Sequence, residues 1–278
     1  MLPPGLVRRI VRDALDEDVG ERDATTEATV PETALARGVF LAKQDFVVAG
    51  LDVALAAFRL LDAKLAWQPQ ATDGSPVVAG TTLGALTGRA RPLLTAERVA
   101  LNFLQRLSGV ATQTRRFVTA VAGTKARIRD TRKTTPLLRL LEKHAVELGG
   151  GVAHRAGLDS AILVKDNHVR LAGSAAEATR RAVAAAAGLA VEVEVERLDQ
   201  VEDVIAGGAG MVLLDNFTPD DVRRAVSQVA GRVPVEVSGG VRLENVRAYA
   251  EAGADFIAIG ALTHSAPAVD ISLEIEPA

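Results

Sequence analysis

Between residues 126 and 260 short apolar runs recur at intervals of roughly 20–30 residues, with helical patterns between the later ones. The runs are Ala126–Asp130, Ala161–Lys165, Val191–Val195, Met211–Asp215, Val235–Ser238 and Phe256–Gly260. Helical periodicity marks Glu177–Ala187, Asp199–Ile205, Asp220–Val229 and Leu243–Glu251. This alternation predicts right-handed parallel βα units. Six strands rather than eight predict an incomplete α/β barrel, with a doubly wound sheet as the alternative; no Gly-x-Gly-x-x-Gly follows the first strand.

Upstream the pattern is mixed. Leu6–Asp16 and Leu51–Leu61 read as helices, Thr33–Ala42 and Phe46–Ala49 as strands, and Ala66–Thr87 as short strands and turns. Thr95–Leu107 reads as a helix ended by Ser108-Gly109, with a second helix over Ala111–Ala122. The fold class predicted is α/β: an N-terminal α+β sandwich over 1–107 and an incomplete parallel barrel over 108–267, with the tail 268–278 packing on the first domain.

Each predicted strand ends in polar groups, and in α/β barrels the chemistry sits at that C-terminal rim. The ends are Asp130-Thr131-Arg132-Lys133, Lys165-Asp166-Asn167-His168, Glu196, Asp215-Asn216, Ser238-Gly239-Gly240 and Gly260-Ala261-Leu262-Thr263-His264. Val191–Glu196 alternates Val-Glu, so Glu192, Glu194 and Glu196 share one face. On an edge strand that face would be solvated. On an internal strand it points inward and needs cations, and Lys125, Arg127 and Arg129, on one face of the first strand, are the expected partners. Only the Glu nearest the rim then needs to touch substrate. The cations near the rim (Arg132, Lys133, His154, Arg155 and Lys165, with Arg98 on the preceding helix) outnumber any nucleophile. Glycines after the last two strands bare backbone amides as a phosphate cradle would, although they could also serve tight turns alone. A phosphosugar with an acidic co-substrate fits this set.

Composition narrows the field. Net charge is −3 and aromatics are 3% of 278 residues, with one Trp and one Tyr, so neither a basic field nor stacking platforms suggest nucleic acid. Without Cys there is no disulfide or thiolate metal site, and the four His form no helical ligand pair, so no tightly bound transition metal is expected. No apolar run has membrane-spanning length and no signal-peptide pattern opens the chain, which predicts a cytoplasmic protein without membrane contact.

Glu97-Arg98, Leu101-Asn102, Leu107-Ser108-Gly109, Asp130-Thr131-Arg132-Lys133-Thr134-Thr135-Pro136, Gly149-Gly150-Gly151, His154-Arg155, Lys165-Asp166-Asn167-His168, Glu192–Val195, Leu214–Phe217 and Gly260–Ser265 occur in the order of one family. Through them nearly the whole chain resembles the quinolinate phosphoribosyltransferases. That resemblance implies transfer of a phosphoribosyl group from phosphoribosyl pyrophosphate to quinolinate, with loss of CO2, in NAD biosynthesis. It implies a homodimer, or a higher assembly, in which active sites are shared. By the resemblance Arg132, His154 and Arg155 hold quinolinate, with Arg98 entering from the partner. Thr131 lies in the same loop, and Lys133 and Lys165 bridge toward pyrophosphate or the quinolinate carboxylate. Glu194 and Asp215 take the ribose hydroxyls or Mg2+, which arrives with the donor. Ser238, Gly239, Gly240, Gly260 and Ala261 cradle the 5′-phosphate, with His264 nearby. Two positions depart from the family pattern: Ala153 replaces a usual Asn, expected to loosen His154, and Leu137 replaces a usual Gly, expected to stiffen the Arg-Lys loop. The alternatives are a homologue linked to molybdate-transport operons with another acceptor, which lacks the Lys-Asp-Asn-His element, and a non-catalytic phosphosugar-binding paralogue.

Overall fold

A computed structural model of the protein describes residues 2–278, which divide into two compact units. The first holds residues up to Arg115 together with Thr135–Gly149 and Thr263–Ala278. Its elements are α1 (Pro4–Val19), α2 (Ala24–Thr29), β1 (Leu35–Ala42), β2 (Phe46–Val47), α3 (Leu51–Leu61), β3 (Ala66–Pro69), β4 (Pro76–Val77), β5 (Thr82–Arg89) and the N-terminal part of α4 (Ala90–Ala120). α5 (Arg139–Leu148) and the last strand, β12 (Ile271–Pro277), complete it. β12, β1, β5 and β3 form an antiparallel sheet in that order. β1 alternates exposed or half-buried residues with buried ones, so one face of the sheet carries Ala36, Phe40 and Ala42 into the core. Phe40 meets Phe58 of α3 edge-to-face, with ring centroids 6.0 Å apart.

The predicted break at Ser108-Gly109 does not exist: α4 runs unbroken for 31 residues. Two tertiary contacts account for those residues. The Ser108 hydroxyl is buried and bonds Ala49, and a Cβ at Gly109 would lie 2.1 Å from the Pro267 carbonyl oxygen. Gly109 is small so that the C-terminal segment can cross α4 closely, and this outweighs its helix-breaking tendency. Gly149 meets α4 in the same way, since a Cβ there would sit 2.5 Å from the Ala111 carbonyl oxygen.

The second unit, Arg116–Thr134 with Gly150–Leu262, carries the predicted βα alternation. Its strands are β6 (Arg127–Arg129), β7 (Ile162–Val164), β8 (Val191–Val195), β9 (Met211–Asp215), β10 (Val235–Ser238) and β11 (Phe256–Ala258). They pair in parallel in the order β6-β11-β10-β9-β8-β7, an incomplete barrel. Val152, bridged to Arg129, extends the β6 edge. The helices are α6 (Asp166–Ala172), α7 (Ala175–Ala184), α8 (Asp199–Ala206), α9 (Pro219–Val229) and α10 (Val246–Glu251); α11 (Ala261–His264) begins in this unit and ends in the first.

Val193, Val212, Leu214, Val237 and Ile257 are fully buried on the strands. Each such side chain contributes about 1.5–3 kcal/mol by leaving water. The alternate residues of the same strands point into the barrel, and they set its chemistry.

Candidate active site

The inward face of β8 is acidic, as its alternation requires: Glu192 and Glu194 are buried, whereas Glu196, beyond the strand, is exposed. Their partners differ from those expected. Strand order puts β11, β10 and β9 between β6 and β8, so the β6 cations do not serve β8. Arg129 instead pairs with Glu236 of β10, Lys125 pairs with Asp255 at the surface, and Arg127 is exposed. The β8 carboxylates take their partners elsewhere in the unit. Lys165 Nζ donates to Glu194 Oε2 at 2.7 Å, and His154 Nε2 lies 3.2 Å from Glu192 Oε2.

Lys165 stands at the N-cap of α6, a helix absent from the sequence expectation, where its main-chain N–H donates to His168 Nδ1 at 2.9 Å. That turn aims the Lys165 side chain back at β8. Asp215, at the end of β9, lies close by, and its carboxyl is pushed above the usual range. Burial is the chief cause and the Glu194 charge adds to it, while Lys165 and Lys133 pull the other way. Glu194 and Asp215 offer hard oxygen donors that could hold a Mg2+ ion, which binds through one or two carboxylates plus phosphate oxygens and water.

A second like-charge crowd is cationic. The Arg155 guanidinium is held below its usual pKa, first by burial and then by the neighbouring Arg132 charge, against the pull of Glu192. Arg155 Nη1 donates to the Ala161 carbonyl at 3.0 Å. Nε of Arg155 and Nε of Arg132 are buried with no hydrogen-bond partner among the described residues. The Arg132 loop is folded on itself by Thr131, whose Oγ1 accepts from the Lys133 N–H at 3.0 Å.

His154 is buried beside Asp130 at the end of β6 and tied to its neighbours. Nδ1 accepts the main-chain N–H of Arg155 at 2.7 Å, and Nε2 faces Glu192 and, at 3.5 Å, Glu236. The main-chain N–H of His154 donates to Asp130 Oδ1 at 2.7 Å. Both ring nitrogens thus face protein groups, and Nδ1 ties the ring to the Arg155 main chain. Ala153 is exposed. Glu236 escaped the sequence reading, yet Val235-Glu236-Val237 repeats the β8 alternation and could have revealed it.

The glycine loops follow β10 and β11. At Gly239, φ is +89°, and a Cβ would come within 2.2 Å of Asn216 Oδ1. Asn216, itself left-handed at φ +59°, donates its main-chain N–H to the Ser238 carbonyl at 2.9 Å. Gly240 has φ +61° and open space around it. Gly260 and Ala261 follow β11 and lead into α11. Thus Thr131, Arg132, Lys133, His154, Arg155, Lys165, Glu194, Asp215, Ser238, Gly239, Gly240, Gly260 and Ala261 all belong to the second unit. Arg98 and His264 belong to the first; both are exposed, Arg98 on α4 and His264 with Nδ1 against Ser265 Oγ.

The chain is similar to known proteins over both of its domains. Residues 23–108 and 110–274 match the family models for the N-terminal and C-terminal domains of quinolinate phosphoribosyl transferase. The nicotinate-nucleotide pyrophosphorylase (carboxylating) of Mycobacterium leprae is 44% identical over 276 residues, 96% of each chain. A probable enzyme of that name from Bacillus subtilis is 38% identical over 97% of this chain and 93% of its own. The solved structure of NadC from Streptococcus pyogenes superposes with a TM-score of 0.96 at 38% identity, covering 100% of this chain and 99% of that one. With both domains matched in order and the relatives aligned end to end, the chain belongs to the quinolinate phosphoribosyltransferase family.

Proposed function

We propose that the protein transfers a phosphoribosyl group from phosphoribosyl pyrophosphate to quinolinate and releases pyrophosphate and CO2, giving nicotinate mononucleotide for NAD biosynthesis. One observation carries the reading. A single unit holds two like-charge pairs, Arg132 with Arg155 and Glu194 with Asp215, and in each pair burial first and the like charge second disfavour the charged form of one member, Arg155 and Asp215. A dicarboxylate relieves the first pair, and a sugar developing positive charge, accompanied by Mg2+, relieves the second.

In the reaction the pyridine nitrogen forms a bond to ribose C1 as the C1–O bond to pyrophosphate breaks. The transition state has oxocarbenium character, and Glu194 and Asp215 favour its positive charge. The quaternised ring then stabilises the electron pair left on C2 when the C2–carboxylate bond breaks. CO2 departs and C2 takes up one proton. No covalent enzyme nucleophile is required, and the protein's contribution is positioning and electrostatics.

Arg132 and Arg155 grip the quinolinate carboxylates through planar forks, with Arg98 contributed by a second copy of the chain in a shared-site homodimer. Lys133 and Lys165 serve the pyrophosphate or the adjacent carboxylate. Ser238, Gly239, Gly240, Gly260 and Ala261 cradle the 5′-phosphate, with His264 beside them. Glu194 and Asp215 would hold a Mg2+ ion arriving with the donor, and it would supply charge neutralisation to the leaving group. No helix among the described residues is long and apolar enough to cross a membrane, which supports a cytoplasmic enzyme.

The test is direct. Purified protein with quinolinate, phosphoribosyl pyrophosphate and Mg2+ should yield nicotinate mononucleotide and CO2. Nicotinate lacks the 2-carboxylate and leaves a buried cation unmatched, at a cost of roughly 2–5 kcal/mol, or about 30- to several thousand-fold. Equal turnover of nicotinate and quinolinate would refute the assignment.

A further inference from the structure

Arg106 of α4 grips two segments that flank the proposed substrate loops, and no role in the reaction has so far been given to it. Its Nε and Nη2 donate to Glu142 Oε1 of α5 at 3.2 and 2.8 Å. Nη1 donates to the Ala266 carbonyl at 2.7 Å, and Nη2 also reaches the Thr263 carbonyl. Glu142 is completely buried and accepts from Thr135 twice, from the main-chain N–H at 3.0 Å and from the hydroxyl at 2.8 Å. All of these groups lie in the first unit.

The sequence positions of the held groups give the network its meaning. Thr135 comes two residues after Lys133 and three after Arg132, so Glu142 pins the end of the cationic loop. Thr263 and Ala266 bracket His264 and Ser265, immediately after Gly260 and Ala261. One planar guanidinium therefore holds the exit of the loop assigned to quinolinate and pyrophosphate and the exit of the loop assigned to the 5′-phosphate. Neighbouring contacts keep α4 against the second of these. Gly109 admits the Pro267 carbonyl, the Gln105 carbonyl accepts from the Val269 N–H, and the Gln105 amide donates to the Ile271 carbonyl. A buried carboxylate with both oxygens engaged is costly to assemble unless each donor is in place. The two exits thereby share one fixed geometry rather than two independent ones.

We propose that Arg106, acting through Glu142, is a positioning residue that sets the two substrate loops in common register. The inference rests on the function proposed above. A lysine at 106 keeps the charge but loses the fork that reaches three acceptors. In the full-length protein Arg106→Lys should raise the KM of quinolinate and that of phosphoribosyl pyrophosphate, lowering both kcat/KM values by about ten- to a hundredfold. Thr135→Val removes one bond on a single side and should raise the quinolinate KM alone. Glu142→Gln, which keeps shape while freeing Arg106, should affect both substrates and serves as the deciding variant if Arg106→Lys is unfolded at the assay temperature. Thermal unfolding identifies the folded variants, and a purely structural role would lower the unfolding temperature without this split between substrates. Wild-type protein inactive on the two substrates overturns the function reading. Active wild type together with a folded Arg106→Lys, or Glu142→Gln in its place, whose two KM values stay within about twofold of wild type, overturns the role of Arg106 alone.

Discussion

The main-chain N–H of Arg155 points at Nδ1 of His154 from 2.7 Å. A nitrogen that accepts such a bond carries no proton, so in the neutral ring the proton resides on Nε2, between Glu192 and Glu236. Nε2 and carboxylate oxygens of these two residues lie within 4.8 Å of one another, a grouping that could hold a metal ion. The tautomer makes this a proton-bridged triad and places Arg155 through its backbone.

Charging the His154 ring gives up the bond from the Arg155 N–H to Nδ1 and is opposed by burial, but hydrogen bonding to Glu192 and Glu236 and their charges outweigh burial and hold its pKa above the ordinary value. A group raised on folding contributes stability that is fully present below its unfolded pKa, about 6.5, and is lost as pH rises through the higher folded value. The stability difference between wild type and His154→Asn should therefore be largest near pH 6 and shrink toward alkaline pH, as read by urea unfolding. Glu192→Gln should flatten that dependence. A difference growing with pH contradicts the triad, and ring 15N shifts at alkaline pH should report protonated Nε2.

Leu137 is exposed and has φ +68°, in the left-handed region that disfavours a β-carbon. The expected stiffening of the Arg-Lys loop thus comes with backbone strain, worth about 1–2 kcal/mol and partly offset by the greater chain entropy that a glycine would lose. Leu137→Gly should raise stability by about 0.5–1 kcal/mol. Leu137→Ala keeps the β-carbon and should give no gain. Equal stabilisation by both would assign the effect to the exposed apolar side chain.

Gly239 and Gly240 look equivalent in the sequence but differ in their surroundings, because only Gly239 lies against Asn216. Gly239→Ala should drive the two apart and raise the KM of phosphoribosyl pyrophosphate by about a hundredfold, while quinolinate binding measured by calorimetry stays near wild type. Gly240→Ala should be markedly milder. Asn216→Ala should restore part of the loss in Gly239→Ala, a coupling visible in a double-mutant cycle.

The barrel was legible in the sequence because its signal is local: a short apolar run, a polar end, a helix. Strand existence and the inward Glu face of β8 follow from alternation alone. Pairing across the sheet did not follow, since strand order is a long-range property, and this is why the β6 cations were assigned to the wrong carboxylates. Ser108-Gly109 misled for a related reason: a helix-ending signal was overridden by close packing of the C-terminal segment. Glu142 and Arg106 carry no local mark that separates a buried ion pair from two solvated charges.

Arg98 tests the proposed sharing of sites between two copies of the chain. It sits exposed on α4 in the first unit, whereas Lys165 lies in the second beside Glu194. If Arg98 completes the neighbour's quinolinate pocket, Arg98→Ala and Lys165→Ala should each be nearly inactive alone. Subunit exchange between them creates heterodimers with one intact site and one doubly damaged site. Random exchange puts about half of the dimers in that class, restoring roughly a quarter of wild-type activity across an isologous two-fold interface. Gel filtration must first show that both variants dimerise and exchange. A mixture that then stays as inactive as its components means that Arg98 serves its own chain and the shared-site arrangement is wrong for this protein.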